Sequence, residues 1–237
     1  MSNRYILTYT VIMAMITAVV LAFVVNVLHP RQVANEAVFN KREILSSIED
    51  EIGTDLDKLS DQEVLNLFKE KVDQIVLDAT GNVVDSIRAE DVDMAAEEKK
   101  PAAKRVYPLF IYNGKEGKIY LMSVRGNGLW DKIWGHVALK DDFNTVVGTS
   151  FGHIGETPGL GAEIKDNPNF AKQFQGKRIY EDGKYVSVAV VKGGIKDPAH
   201  QVDAVSGATI TSNGVSQMLY KGIAIYLPYF KGLKKEM

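Results

Sequence analysis

The sequence predicts an α+β protein: one N-terminal transmembrane helix, then a domain built on a mixed, at least partly antiparallel sheet. Three observations predict it. Ile6–Leu28 contains no charged side chain. From Val106 onward, short apolar runs are separated by glycine-rich turns, the pattern of hairpins. Helical periodicity is interleaved with those runs, which separates an α+β chain from an all-β one.

Composition narrows the function. The chain has 237 residues, 28 basic and 30 acidic, for a net charge of −2. A dedicated nucleic-acid binder carries a basic excess, so no nucleic-acid partner is expected. With 46% hydrophobic and 24% charged residues, wholesale disorder is excluded. Cysteine is absent, which removes disulfides, iron–sulfur ligation, thiolate nucleophiles and cysteine lipidation. His29, His136, His153 and His200 are scattered without metal-ligand spacing, so no metal site is expected. No Ser-His-Asp set, P-loop or Rossmann fingerprint occurs, so no catalytic residue is assigned.

The elements follow in order. A helix over 6–28 is roughly 34 Å long, enough to cross a bilayer. A cleaved signal peptide needs a shorter apolar core and a small-x-small site, and none follows Val20–Val27. An uncleaved anchor within residues 1–30 is therefore expected, with membrane as a partner. Orientation is weakly encoded, since Arg4 precedes the span while Arg31, Lys41 and Arg42 follow it among Glu36 and Glu43. Residues 31–105 read as a helical and hairpin insert. Val33–Ile48 has amphipathic spacing after Pro30. Ser60 and Glu63 form a capping-box pattern that opens a helix carrying Val64, Leu67, Phe68, Val72 and Ile75. Ile75–Leu77 and Val83–Val84 flank a Thr80-Gly81-Asn82 turn. Ser86–Arg105 is charge-dense and reads as a solvated excursion. Residues 106–237 read as the main domain. Strands are expected at Tyr107–Tyr112, Lys118–Val124, Ile133–Leu139, Thr145–Phe151 and Tyr185–Val191. Helices are expected at Ala162–Phe174 and Asn213–Tyr226, the last stopped by Pro228.

Three glycine-rich segments stand out: Gly126-Asn127-Gly128-Leu129-Trp130, Gly155-Glu156-Thr157-Pro158-Gly159-Leu160-Gly161, and Asp203-Ala204-Val205-Ser206-Gly207-Ala208-Thr209. In the third, Gly207 and Ala208 strip bulk from the backbone before Thr209. Ser206, Thr209, Thr211 and Ser212 crowd hydroxyls at the start of a helix, whose free N–H groups suit a phosphate. The plainer alternative is helix capping by those hydroxyls. In the second, glycines permit close backbone approach to a flat ligand, Pro158 fixes the turn, and Leu160 offers an apolar face. Trp130 offers a second, aromatic face. Lys192, before Gly193-Gly194, is a candidate cation for a phosphate or ring.

The third segment resembles the flavinylation motif of membrane-bound FMN-binding domains, and the second resembles that family's flavin-cradling loop. The resemblance implies FMN held covalently, as a phosphoester on Thr209. It places Asp203, Ser206, Gly207 and Ala208 in the motif, Trp130 and Leu160 on the two ring faces, and Glu156 and Thr157 at the ring edge. It implies an FMN transferase that uses FAD as donor. The length of chain before the flavin segments is similar to the C subunit of sodium-translocating NADH:quinone oxidoreductases rather than to the relative in ferredoxin–NAD complexes. That branch implies an inner-membrane, single-pass protein with its flavin domain in the periplasm. It further implies a six-subunit assembly, with a B subunit that also carries covalent FMN and membrane subunits that hold an iron–sulfur centre. The homologous FMN subunit of a ferredoxin–NAD electron-transport complex, and a membrane-anchored flavin-binding sensory domain without electron throughput, stay open as alternatives.

Overall fold

The computed structural model describes residues 3–236. The chain forms two compact units that divide between Lys41 and Arg42. The first is the apolar part of helix α1 (Asn3–Ser46), whose best window has a mean hydropathy of 2.8. The sequence reads a span over 6–28 and a separate amphipathic stretch after Pro30, yet Pro30 lies inside one continuous helix. A proline removes one N–H donor, and the helical bonds on either side can still carry the chain through.

The second unit begins with the last turn of α1. Short helix α2 (Glu49–Ile52) leads to α3 (Asp61–Lys71), where the Ser60–Glu63 capping box is fully formed. Arg42 ties this corner by donating to the Leu56 and Leu59 carbonyls. Helix α3 is shorter than its apolar spacing suggests. Val72 and Ile75 belong to strand β1 (Val72–Asp78), which follows without a loop. β-branched side chains tip the balance to strand once a neighbouring strand supplies the ladder. Beyond the turn, the expected hairpin reduces to a single bridge between Leu77 and Val83.

Residues 86–105 are more ordered than their charge suggests. They contain 3₁₀ turns at Ala89–Asp91 and Ala102–Lys104, and helix α4 (Met94–Glu97). Glu97 is buried; its carboxylate accepts from the Val106 N–H (3.0 Å) and from Lys100 (2.6 Å). Glu98 pairs with Arg125 (3.3 Å) and Lys132 (3.1 Å). The segment is thus bound to the sheet and is not a solvated excursion.

Strands β2 (Val106–Asn113), β3 (Lys118–Asn127), β4 (Lys132–Lys140) and β5 (Val146–His153) complete the main sheet. Its five strands run antiparallel in the order β1-β2-β3-β4-β5. The sheet therefore crosses the sequence boundary drawn at residue 105. Side chains alternate across it, so both faces need cover. Phe68 of α3 meets Phe110 of β2 edge-on, with centroids 5.7 Å apart. On β4 and β5, Trp134 donates to the Glu43 carboxylate (3.1 Å) and Ser150 to the Glu43 carbonyl (2.9 Å). Burial pushes the Glu43 carboxyl above its ordinary range, against the pull of Trp134.

After β5 the expected helix over 162–174 is broken into α5 (Glu163–Asp166) and α6 (Pro168–Lys172). Pro168 disfavours helical backbone at Asn167, whose side chain instead caps α6. The expected strand over 185–191 is also interrupted. A two-residue hairpin, β6 (Tyr180–Glu181) and β7 (Lys184–Tyr185), ends before Ser187, which has φ +64°. Strand β8 (Ala189–Val191) then pairs in parallel with β9 (Gln201–Asp203).

Helix α7 (Thr209–Ala224) lies on the other face of the sheet from α3 and ends before Pro228. Pro228 falls in the first turn of a further helix, α8 (Leu227–Glu236). Gly214, Met218 and Gly222 recur every four residues and form the stripe of α7 that meets β3. A Cβ at Gly214 would lie 2.2 Å from the Asn127 oxygen, and one at Gly222 would lie 2.6 Å from Val124. Below them, the Tyr226 hydroxyl bonds the Pro108 (3.0 Å) and Ser123 (2.8 Å) carbonyls.

Candidate functional site

Strand pairing brings the three glycine-rich segments to one end of the sheet. The first forms the β3–β4 turn: Asn127 faces Lys132, and the Gly128 N–H closes onto the Asp131 carbonyl (2.8 Å). The second leaves β5 beside it, since His153 faces Ile133 and the Ile154 N–H bonds the Lys132 carbonyl (3.2 Å). The third runs from β9 into α7, and contact between Gly214 and Asn127 fixes the helix start against the first segment. Glycine is required here by closeness. A Cβ on Gly207, at φ +76°, would stand 2.7 Å from Leu160 Cδ2. The second and third segments therefore touch.

At the helix start, the capping alternative fails. The N-cap is Ala208, with no side-chain cap. Thr211 instead donates to the Glu156 carboxylate (2.7 Å), and the Ser212 hydroxyl accepts from the Val205 N–H (3.2 Å). Thr209 is the first helical residue and is exposed, as are Ser206 and Gly207, while Ala208 is buried. The first turn of a 16-residue helix thus presents a hydroxyl together with the positive end of the dipole.

Trp130 is 69% exposed and Leu160 is 42% exposed. Leu129, Ile154 and Ile210, on or next to the same segments, are exposed too. The Trp130 indole N–H donates to Thr157 Oγ1 (3.1 Å), which fixes the ring's edge. Glu156 is held by protein donors. It is buried, and its two oxygens receive the Trp130 N–H (3.0 Å) and the Thr211 hydroxyl (2.7 Å). Its own N–H bonds His153 Nδ1 (3.2 Å). Asp203 is exposed, and its backbone is held by Gln173: the Asp203 N–H donates to Gln173 Oε1 (2.8 Å). Lys192 is exposed, just past Val191, the register partner of Asp203.

Sequence reasoning missed Gln173 and Ser216. The Ser216 hydroxyl accepts the Val190 N–H (2.8 Å), tying α7 to β8. Both are long-range contacts with no local signature. The structure also gathers Glu181, Asp197 and His200 within 4.8 Å. His200 Nδ1 is taken by Asp197 (2.7 Å), and Nε2 lies 3.2 Å from the Tyr180 carbonyl.

The residues fit a phosphorylated flat ligand. An uncapped helix N-terminus and an exposed hydroxyl suit the phosphate. Exposed Trp130 and Leu160, on segments linked by Thr157, Glu156 and Gly207, suit an aromatic ring.

Comparison with known proteins agrees. Residues 128–224 match a family model described as the FMN-binding domain. The chain is 35% identical to the C subunit of the Na(+)-translocating NADH-quinone reductase of Neisseria meningitidis, over 73% of this chain and 75% of that one. The crystal structure of the corresponding C subunit from Parabacteroides distasonis superposes with a TM-score of 0.74 at 35% identity, covering 86% of this chain and 96% of that one. NqrC from Shewanella oneidensis gives the same TM-score of 0.74 at 28% identity, covering 85% and 99%. The Pseudomonas aeruginosa relative is 32% identical over 93% of this chain and 92% of its own length, so the chain belongs to the family of Na(+)-translocating NADH-quinone reductase C subunits, components of an oxidoreductase complex.

Proposed function

We propose that this chain carries FMN as a phosphoester on Thr209 and serves as a one-electron carrier in a sodium-pumping NADH:quinone oxidoreductase. The observation that carries the proposal is the exposed Thr209 hydroxyl at an α7 N-terminus without a side-chain cap, flanked by Gly207 and Ala208. Attachment forms the Thr209 Oγ–P bond and breaks the pyrophosphate P–O bond of FAD. AMP leaves, the hydroxyl proton is released, and an FMN transferase is the catalyst. The first-turn N–H groups of α7 face the phosphate charge, and Lys192 adds a cation beside Asp203. Trp130 and Leu160 cover the two ring faces, with Thr157 holding the indole. Bound FMN supplies the electron chemistry, and the protein supplies position and electrostatics.

The uncharged stretch of α1 anchors the chain in the inner membrane, with the domain after Arg42 in the periplasm. Electrons pass between an iron–sulfur centre of neighbouring membrane subunits and the covalent FMN of the B subunit. The test is ultraviolet fluorescence of the denatured protein after co-expression with the transferase. Thr209→Ala is expected to remove the fluorescent band, and Thr211→Ala to weaken it. A band kept by Thr209→Ala and lost in Thr211→Ala overturns the assignment.

A further inference from the structure

Glu156 is one of few buried charged residues in the described domain, and it lies where three exposed loops meet. Two features show that the backbone is built around its carboxylate. A Cβ on Gly128 would lie 2.3 Å from Oε1, and one on Gly161 would lie 2.2 Å from Oε2. Each oxygen then takes one donor from a different segment: the Trp130 N–H at 3.0 Å and the Thr211 hydroxyl at 2.7 Å. Thr211 is itself 1% exposed. It stands two positions after Thr209, in the same first turn of α7. The carboxylate therefore joins the β3–β4 turn, the loop after β5 and the start of α7 through side-chain and backbone donors.

We infer that Glu156 is a positioning residue, a latch that holds the first turn of α7 against the Trp130 turn so that Thr209 is presented for phosphoester formation. This rests on the attachment of FMN at Thr209. Glu156 acts through Thr211 and Trp130, because each of its oxygens receives a protein donor. The modification is the one written above: the Thr209 Oγ–P bond replaces the FAD pyrophosphate bond, and AMP and the hydroxyl proton leave. The latch adds no group to that balance. It fixes the geometry of the attacking oxygen before the transferase arrives. A charge-assisted hydrogen bond is stronger than a neutral one, and burial makes its loss more costly.

The test compares full-length variants in detergent, incubated with FAD and the transferase. Flavin incorporation is followed by intact mass. Thr211→Val removes the hydroxyl and keeps the shape; incorporation is expected to slow on the order of tenfold, the equivalent of one charge-assisted bond. Thr211→Ser restores the hydroxyl and should return the rate to within about twofold of wild type. Glu156→Gln keeps neutral partners for Trp130 and Thr211 but removes the charge, so loading should slow less than in Thr211→Val while the midpoint potential of the loaded fraction holds. A wild-type rate in Thr211→Val, or no rescue by Thr211→Ser, overturns the latch. A shifted potential in Glu156→Gln with unchanged loading also overturns it, because the charge would then act on the ring. Should Thr211→Val fail to fold, hydrogen exchange at the Trp130 amide of the wild-type chain decides: protection supports the latch, and free exchange refutes it. Thr209→Ala is the separate control. Loading there would overturn the attachment site itself, whatever the latch variants do.

Discussion

Gly214→Ala sets helix propensity against packing. In an exposed helix interior the change would stabilise by about 1 kcal/mol, because alanine loses less backbone entropy. Here the new Cβ would sit 2.2 Å from the Asn127 oxygen and 3.3 Å from its carbonyl carbon. The first of these is far short of ordinary contact. The obstacle is backbone, and Asn127 pairs with Lys132 at the end of β3, so it cannot swing aside alone. Helix α7 has to lift, which loosens Val215, Met218 and Leu219 from the core. Overpacking of this kind costs about 1–3 kcal/mol. The upper end applies because the clash is with backbone, leaving a net loss of about 2 kcal/mol after the propensity gain. For a unit of this size that lowers Tm by about 4–8 °C. The assay is thermal and urea unfolding of the purified chain in detergent, read by near-ultraviolet circular dichroism. Gly232→Ala in α8 is the companion, since a Cβ there meets nothing within 4 Å. It should be neutral or stabilise by up to about 1 kcal/mol. A Gly214→Ala protein more stable than wild type, with an unchanged urea m-value, would refute the claim that α7 is seated by this glycine.

Other expectations follow from the same packing. Tyr226→Phe removes the donor shared by the Pro108 and Ser123 carbonyls, and should cost about 1–3 kcal/mol in urea unfolding; no change would mean the bonds carry no net stability. His200 is opposed by burial, yet its bonds to Asp197 and the Tyr180 carbonyl hold its pKa above the ordinary histidine value. A raised pKa stabilises fully below about pH 6.5, the unfolded value, and the gain fades as pH rises through the folded pKa. The stability gap between wild type and His200→Gln should therefore be widest near pH 5–6 and narrow above that; a gap that widens with pH would contradict it. With FMN attached at Thr209 as proposed, Trp130→Ala should keep the flavin while removing about 1–3 kcal/mol of ring packing, by analogy with base stacking, so flavin emission should rise. Unchanged emission would remove Trp130 from the ring face.

The sequence alone carried the features set by local or one-dimensional physics. An uncharged run from Ile6 to Leu28 reads as a span because length and transfer energy need no partner. The Ser60–Glu63 box reads as a helix start because its bonds are three residues apart. Hairpin turns read as antiparallel strands for the same reason. The three glycine-rich segments were visible too, as places where backbone must come close to something. Tertiary structure decided what that something is. Gly128 and Gly161 make room for the buried Glu156 carboxylate, and Gly214 makes room for the Asn127 carbonyl. Sequence cannot say which buried donors a carboxylate such as Glu156 will meet; the fold supplies the Trp130 N–H and the Thr211 hydroxyl. Val72 and Ile75 read as helix because their spacing suits either period; pairing with Tyr112 and Leu109 made them strand. Residues 86–105 read as solvated because charge predicts exposure only until Arg125 and Lys132 arrive from elsewhere in the chain. These choices depend on groups far apart in sequence, and only the folded chain brings them within bonding distance.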